Sequence, residues 1–553
     1  MKKEDSLNQS NEALSFWLCA GLLAVLLASV LARDIDRPFY GLHSWGQAHF
    51  AWVARSHVKY GLGYTKGLDT FAVGQPPAEK PSHYLDHPQL STLLDATAMA
   101  VLGINNWSIR AANALATIAA LLLFLKILRG LLDDISALLA GLLFCLFPLT
   151  AYFGTYNAWL YPVVLWAFWC YLVLIGGLED GPQPKKFHKP VLAISLFLAL
   201  QLTWEGFFWA LAIGVHYVFR CICRKQFPEK TLLAILIIAP LSSLILIFAI
   251  LLGAQGWDFQ RIVELAKWRA TSGEIPGLTW AMWFRRFWEH ALTNFTLPIL
   301  ITAILYLTLG QLFVFAHPAS DRQKAAASRR FPQFWLFLMP PVFQLLILRG
   351  TLWPHQYWER PLAPFIAIAA ALGVMVLADI LKKVHWRLCA AGTVVLVGVF
   401  FVFCMSGTSY YYSIRWQAPE QIKMFEILNR KIPPDKALLS FEPHIIDQKP
   451  GVKEASYRPE IAWYLDREIV PAHTLAEIEK QAKTGRFRYY LMPMATRNPK
   501  AGPYLAQLSR QLRQRYNFEY VRGNPGRLTE DGKFLEASMA DHLVFDLQSK
   551  AGR

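Results

Sequence analysis

Long apolar runs constrain the fold of this 553-residue chain more than any other feature. A helix of about 20 apolar residues is needed to cross the roughly 30 Å hydrocarbon core of a bilayer. Runs of this kind recur through the first three quarters of the chain, so the sequence predicts a polytopic α-helical membrane protein. The predicted spans, eleven in number, lie at 13–32, 109–128, 135–153, 158–176, 190–204, 206–219, 231–252, 294–316, 333–348, 361–381 and 387–405.

The composition excludes an ordinary cytosolic enzyme. Apolar and aromatic residues make up 54% of the chain and charged residues only 17%, whereas soluble domains have about 45–50% and about 25%. The net charge of +16 is carried by short basic clusters between apolar runs. Such clusters are typical of topology signals and of sites for anionic headgroups or phosphates, so we do not expect nucleic-acid binding. None of the seven cysteines lies in a long polar segment, so no disulfide framework is indicated.

The basic clusters predict the orientation in the membrane. Successive clusters are two spans apart, so all of them can lie in the cytoplasm; they are found at 185–189, 220–230, 322–330 and 382–387. If the N-terminus is also cytoplasmic, an even number of spans must precede the first cluster, which requires that 88–103 does not cross. This 16-residue stretch contains Asp95 and suits an interfacial or re-entrant helix. We expect the first span to be retained as an anchor, the C-terminus to lie outside, and the membrane to be a bacterial inner or plasma membrane.

Two polar regions are then predicted on the outer face. The first, 33–87, includes an amphipathic run at 46–60. The second alternates short β-like runs with helical runs, which predicts a small α/β domain. Its β-like runs lie at 437–441, 488–492, 518–521 and 542–545, and its helical runs at 475–482 and 504–516. We therefore predict a transmembrane domain at 1–408, with 33–87 as its first extracytoplasmic loop carrying juxtamembrane helices, and a soluble extracytoplasmic α/β domain at 409–553.

Three short segments carry a resemblance to a known family. Residues 43–49 have the sequence HSWGQAH, 84–90 have YLDHPQL, and 106–113 have NWSIRAAN. Together they resemble the first outer loop of the GT-C glycosyltransferases, in the family-39-like branch that includes protein O-mannosyltransferases and aminoarabinose transferases. The resemblance covers about 33–180 and is topological beyond. Many members have Asp-Glu where this chain has Gly46-Gln47, and Lys-Pro-Pro where it has HPQ, but a subset has the His-x-Trp-x-Gln pattern found here.

The resemblance implies an inverting glycosyltransferase of the cell envelope. Members of the family take a sugar from a polyprenyl-phosphate donor on the outer face of the membrane. The acceptor would be a glycan, a lipid or a protein. The resemblance also implies an outer loop comparable to the His-x-x-Trp segment that begins at His355.

Inverting transfer needs a carboxylate that takes the acceptor proton and donors that hold the departing phosphate. Asp86 is one candidate base, although it would also suit the N-cap of a helix beginning at Pro88. Glu205 is the second, because a carboxylate at the end of apolar spans is costly unless it is functional or paired with an outer arginine. His43 is a further catalytic candidate, and Gln47 a donor-binding one; loop hydrogen bonding is the alternative for both.

The segment 349–361 adds basic and aromatic groups. Phosphate contacts are predicted for Arg349, His355 and Arg360, together with His87 of the first loop. Packing on the sugar or the isoprenoid is predicted for Trp45, Tyr357 and Trp358. The alternative for the later segment is an interfacial aromatic belt with flanking arginines.

Other functions fit the sequence less well. The stretch 280–288 predicts an amphipathic helix on the membrane surface, with a lid over the lipid donor as the alternative. No nucleotide-binding loop and no paired Cys/His metal spacing is present, so neither a nucleotide-sugar donor nor a cofactor is expected, and no divalent metal is indicated. The rival function is a polytopic transporter or lipid flippase, but its usual pseudo-repeat is missing and the polar groups gather at loop edges.

Overall fold

The computed structural model is predominantly helical and describes residues 2–178, 182–254, 259–270, 277–310, 321–353, 355–415, 419–441, 459–493, 502–521, 527–528, 534–535 and 542–550. Its helices are α1 (Lys2–Ala32), α2 (Ser44–Thr65), α3 (Leu90–Leu102), α4 (Asn106–Arg129), α5 (Asp134–Leu146), α6 (Pro148–Phe153), α7 (Leu160–Leu174), α8 (His188–Leu202), α9 (Glu205–Cys223), α10 (Lys230–Ala254), α11 (Phe259–Ala270), α12 (Trp280–Phe295), α13 (Leu297–Leu305), α14 (Asp321–Ile347), α15 (Arg349–Leu352), α16 (Ala363–Val384), α17 (Trp386–Ser413), α18 (Pro419–Lys431), α19 (Pro459–Leu465), α20 (Leu475–Ala482) and α21 (Gly502–Arg515). A π-helical turn (Tyr306–Gly310) follows α13, and a 3-10 helix (Gln356–Leu362) precedes α16.

Among the described residues, six helices are long and apolar enough to cross a membrane. They are Asn11–Ala32, Asn106–Arg129, Glu205–Cys223, Lys230–Ala254, Gln356–Val384 and Trp386–Ser413. A seventh span results if the pair Trp280–Phe295 and Leu297–Leu309, bent by 105°, is counted as one. Shorter apolar helices are Leu90–Leu102, Asp134–Leu146, Leu160–Leu174, His188–Leu202 and Gln333–Ile347. The chain is therefore an integral membrane protein.

Each predicted span falls on one of these apolar helices, but the count of eleven crossings stays a prediction. The end of one span, 311–316, and the side chains of the basic cluster 322–330 lie outside the described residues. Helix α3 has 13 residues, a length of about 20 Å at 1.5 Å per residue. That length agrees with the expectation that 88–103 does not cross. The orientation of the termini also stays a prediction.

The chain forms two compact units. The transmembrane unit comprises Met1–Ile35, Asp86–Ser91 and Arg110–Tyr411. The polar unit comprises Asp36–Leu85, Thr92–Ile109 and Tyr412–Arg553. Most of the first predicted loop thus groups with the C-terminal part of the chain, which the sequence did not predict, because the loop was assigned to the transmembrane domain. The predicted division between 408 and 409 stays a prediction.

The polar unit is built on a mixed sheet. Its strands are β3 (Ala437–Ser440), β4 (Ile469–Pro471), β5 (Phe487–Pro493), β6 (Tyr516–Val521) and β9 (His542–Lys550), in the order β4-β3-β5-β9-β6. The pairs β3–β4 and β3–β5 are parallel, whereas β5–β9 and β6–β9 are antiparallel. Two short hairpins, β1 (Thr70–Phe71) with β2 (Ser82–His83) and β7 (Arg527–Leu528) with β8 (Phe534–Leu535), complete the described strands. The strands and helices predicted at 437–441, 488–492, 518–521, 542–545, 475–482 and 504–516 are all found.

One hydrophobic core joins the early and late parts of the polar unit. Helix α2 buries its apolar face, and Trp52 stacks on Phe71 with ring centroids 4.7 Å apart. The backbone N–H of Phe39 donates to the hydroxyl of Tyr464 at 2.7 Å. Leu438 of the central sheet belongs to the same buried cluster. The predicted amphipathic run at 46–60 is therefore a helix whose apolar face packs within this unit.

Charged side chains also link the early and late parts of the polar unit. The carboxylate of Asp466 lies 3.2 Å from the guanidinium of Arg55 and 2.6 Å from the ammonium of Lys59. Arg55 also donates to the backbone carbonyls of Trp463, at 2.6 Å, and Ala462, at 2.9 Å. The side chains of Arg55 and Asp466 are 5% and 15% exposed. The polar unit thus depends on contacts between segments that are distant in the sequence.

Candidate active site

The Asp86–His87 pair lies in an irregular segment of the transmembrane unit. The indole N–H of Trp204 donates to the backbone carbonyl of Asp86 at 2.7 Å. Helix α3 begins only at Leu90, so Asp86 does not occupy the N-cap position and that interpretation is wrong. The side-chain amide of Gln89 donates to the backbone carbonyl of His87. Asp86 is therefore held against the loop that carries the second candidate carboxylate.

Glu205 is the first residue of α9, directly after Trp204. The hydroxyl of Tyr161 donates to its carboxylate at 3.1 Å. The next residue, Gly206, lies at the closest approach of α8 and α9, where a Cβ would sit 2.3 Å from the carbonyl oxygen of Ala199. Because glycine allows this packing, the two helices fix the start of α9 and the position of Glu205 with it.

Arg360 anchors the 3-10 helix Gln356–Leu362 to the segment after α6. Its guanidinium donates to the backbone carbonyls of Phe153, at 3.2 Å, and Tyr156. It also lies over the ring of Tyr161, 5.3 Å from the centroid, and attracts Glu205 electrostatically. In the described part of the chain, Glu205 forms no direct ion pair with an arginine within 4 Å, which was the alternative to a functional role. Tyr161 instead contacts both Glu205 and Arg360.

His355 and Tyr357 form an aromatic stack beside this anchor. Their ring centroids are 5.2 Å apart, and the rings are inclined by 27°. Tyr357 also contacts the ring of Tyr156 at 5.0 Å and that of Phe153 at 5.6 Å. Trp358 is half-buried in the same turn. The same short segment, 153–157, therefore supports both the guanidinium and the aromatic stack.

Residues of this group also line a small apolar cavity of about 30 Å³. Phe124, Leu165 and Trp209 line it, and Tyr161 and Arg360 contribute its polar wall. Its volume exceeds the roughly 10–15 Å³ that one water needs. Asp86 contacts Trp204, the chain neighbour of Glu205, and Tyr161 contacts both Glu205 and Arg360. Phe153 and Tyr156 in turn contact both Arg360 and Tyr357. Three segments singled out from the sequence therefore meet in the transmembrane unit.

Arg349 lies in a different environment. Its guanidinium sits over the ring of Trp280, 5.0 Å from the centroid. In turn, Arg286 of α12 donates to the backbone carbonyl of Trp353 at 3.1 Å. The predicted helix at 280–288 is thus present and contacts the segment around Arg349. Its position on the membrane surface stays a prediction, and 255–258 and 271–276 of the preceding segment lie outside the described residues.

His43, Trp45 and Gln47 belong to the polar unit. His43 is 1% exposed, adopts a left-handed backbone conformation with φ of 52°, and directly precedes α2. Trp45 and Gln47 are half-buried in the first turn of that helix. The roles predicted for these three residues stay predictions.

Glu460 was missed by the sequence reasoning. It is 3% exposed, and its carboxylate lies 3.5 Å from the hydroxyl of Ser44. In the sequence it is an ordinary acidic residue after a proline, and only the fold brings it to the start of α2. Within the described ranges, no group of three or more His, Cys, Asp or Glu residues has the geometry of a metal site. The expectation that no metal takes part stays a prediction.

No protein-family model matches the chain, and no curated protein is similar to it in sequence. Solved structures are similar in fold. ArnT from Cupriavidus metallidurans bound to undecaprenyl phosphate has a TM-score of 0.58 at 10% identity, over 96% of this chain and 97% of ArnT. The archaeal oligosaccharyltransferase AglB from Archaeoglobus fulgidus, in complex with an inhibitory peptide and a dolichol-phosphate, has a TM-score of 0.52 at 12% identity, over 94% of this chain and 74% of AglB. Both are GT-C membrane glycosyltransferases, so the predicted resemblance is confirmed at the level of the fold.

Proposed function

We propose that the chain is an inverting glycosyltransferase that moves a sugar from a polyprenyl-phosphate-linked donor to a lipid, glycan or protein acceptor on the outer face of the membrane. The observation that carries the proposal is the meeting of Asp86, Glu205 and the turn 355–360 near the ends of apolar helices. The shared fold supports it, since ArnT and AglB were solved with undecaprenyl phosphate and dolichol-phosphate.

The two carboxylates are the candidate bases. In inverting transfer the acceptor hydroxyl attacks the anomeric carbon, the bond from that carbon to the phosphate oxygen breaks, and a base takes the hydroxyl proton. The carboxylate of Glu205 is oriented by the Tyr161 hydroxyl. The backbone of Asp86 is fixed by Trp204. The side chain of Glu205 and the backbone of Asp86 are thus held at the edge of apolar helices, where an acidic group is costly without a function.

The departing polyprenyl phosphate requires positive charge and hydrogen-bond donors. In this proposal His87, His355 and Arg360 supply them in the transmembrane unit, and Arg349 of the same unit adds a further contact. Tyr357 and Trp358 pack on the sugar or on the first isoprene units. The proposal includes no metal cofactor, because Gly46-Gln47 stands where many family members have an Asp-Glu pair.

Single substitutions of the carboxylates test the proposal. We expect either Asp86→Asn or Glu205→Gln to reduce transfer about 10²–10⁴-fold, the range for loss of a general base. Asp134→Asn is the matched control, because Asp134 forms a partly exposed ion pair with Arg129 that no part of the proposed chemistry uses. Transfer of radiolabelled sugar by purified protein is the measurement. Full transfer by both site variants would reject the base assignment.

A further inference from the structure

A buried carboxyl group that the proposed chemistry does not use lies in the turn of the candidate active site. Glu359 is 0% exposed. It precedes Arg360 in the 3-10 helix that leads into the long apolar helix α16. An acidic side chain in such surroundings is costly, and such residues usually have a specific role. No role for Glu359 was predicted from the sequence.

Glu359 belongs to a hydrogen-bond network that links the 3-10 helix to α12 and α17. The side-chain amide of Asn294, in α12, donates to the carboxyl group of Glu359 at 2.9 Å and to the backbone carbonyl of Gln356 at 3.0 Å. The hydroxyl of Tyr411, in α17, donates to the amide oxygen of Asn294 at 2.6 Å. Asn294 and Tyr411 are both 0% exposed. The network is therefore buried, and it fixes the amide orientation of Asn294.

The turn depends on side-chain anchors of this kind. A 3-10 helix has poorer hydrogen-bond geometry than an α-helix, and Pro361 removes one backbone donor. Arg360 holds one side of the turn to the carbonyls of 153–157, as described above. Glu359 holds the other side to Asn294. Tyr357, whose ring stacks on His355, lies in the same turn, two residues before Glu359.

We propose that Glu359 is a positioning residue for the donor site. Its carboxyl group, held by Asn294, fixes the turn so that His355 and Tyr357 meet the phosphate and the first isoprene units of a polyprenyl-phosphate sugar. This inference rests on the proposed function and adds a residue to it. Glu359 does not contact the donor itself and acts through the turn that it anchors.

The test compares two substitutions at this position by steady-state transfer with purified full-length protein. Glu359→Gln retains an oxygen that accepts from Asn294, so we expect the donor KM of the wild type. Glu359→Leu removes the acceptor, so the donor KM should rise about tenfold, the upper range for one hydrogen bond. The acceptor KM should not change. The rise should also vanish in a Tyr357→Leu background, because the anchored contact is then already lost.

Two further variants keep the test decisive. Tyr411→Phe deletes only the hydroxyl that orients Asn294, and it should raise the donor KM about threefold even if Glu359→Leu does not fold. Gln201→Leu is the matched control, because Gln201 donates to the hydroxyl of Ser243 at 2.9 Å in another buried bond between two helices, α8 and α10. It should lower thermal stability without changing the donor KM.

The possible outcomes separate this inference from the function on which it rests. If the wild-type protein transfers sugar and both Glu359→Leu and Tyr411→Phe show the wild-type donor KM, the positioning role is overturned and the proposed function stands. If Gln201→Leu raises the donor KM as much as Glu359→Leu does, the effect is one of general stability and the role is again overturned. If the wild-type protein transfers no sugar, the proposed function fails, and this inference fails with it.

Discussion

Asp466 is the residue whose charge should matter most to the stability of the polar unit. Its carboxylate contacts Arg55 at 3.2 Å and Lys59 at 2.6 Å. Asp466→Asn is the appropriate change, because φ at this position is 49° and asparagine tolerates the left-handed region better than alanine does. The substitution keeps the side-chain shape and removes only the negative charge.

The expected loss can be worked out from these contacts. Breaking a buried ion pair by removing one partner costs about 3–5 kcal/mol. Here the side chains of Asp466 and Lys59 are 15% and 20% exposed, and Arg55 keeps its bonds to two backbone carbonyls. We therefore expect Asp466→Asn to lower the free energy of unfolding of the polar unit by about 2–3 kcal/mol, below the fully buried range. For a unit of this size that corresponds to a fall in Tm of roughly 4–12 °C.

Thermal unfolding followed by protease susceptibility of the polar unit, in detergent-solubilised protein, measures this loss. Glu468→Gln is the matched control, since Glu468 pairs with Arg486 in the same unit but both side chains are about half exposed, and such pairs are worth only about 0–1 kcal/mol. A double variant with Arg55→Met should lose less than the sum of the single losses. Equal, small effects of Asp466→Asn and Glu468→Gln would refute the reasoning.

Two further predictions concern a buried histidine and a close helix contact. Burial lowers the pKa of His57 to about 4 from 6.5, so the unfolded state binds the proton first and stability is lost as the pH falls from about 6.5 to 4, by roughly 3 kcal/mol. Protease resistance of the polar unit should therefore decline over that window, and His57→Gln should lower by about one the number of protons taken up on unfolding, which sets the slope of stability against pH; an unchanged slope would contradict this. Gly206→Ala, whose Cβ would lie 2.3 Å from the carbonyl oxygen of Ala199, should lower the Tm and reduce transfer because α8 must move, at a cost of about 1–3 kcal/mol or more. Gly214→Ala, in the same helix with open space around it, should be neutral, and similar losses in both variants would argue against the close contact.

Elements with a strong local signal could be predicted from the sequence. Apolar runs marked the helices of the transmembrane unit, and short β-like runs that alternate with helical runs marked β3, β5, β6 and β9. The grouping of Asp36–Leu85 with the C-terminal part could not be predicted. It depends on pairs such as Lys59 and Asp466, which are 407 positions apart in the chain, and no local pattern encodes such a pairing.

In the candidate site too, residue types could be predicted from the sequence, but contacts between distant residues could not. The carboxylates and the aromatic turn stood out by residue type, but their connections through Trp204 and Tyr161 did not. The N-cap interpretation of Asp86 was wrong because α3 begins at Leu90 and not at Pro88. The contact of Glu359 with Asn294 could not be predicted, since the two residues are 65 positions apart.

The central claim is sugar transfer from a polyprenyl-phosphate carrier. The most direct measurement is incorporation of radiolabelled sugar from a panel of polyprenyl-phosphate sugars, with purified full-length protein and a membrane extract as the source of acceptor. We expect incorporation from at least one donor, release of free polyprenyl phosphate in equal amount, and loss of both in His87→Ala. No incorporation and no released polyprenyl phosphate from any donor, with a folded protein, would contradict it.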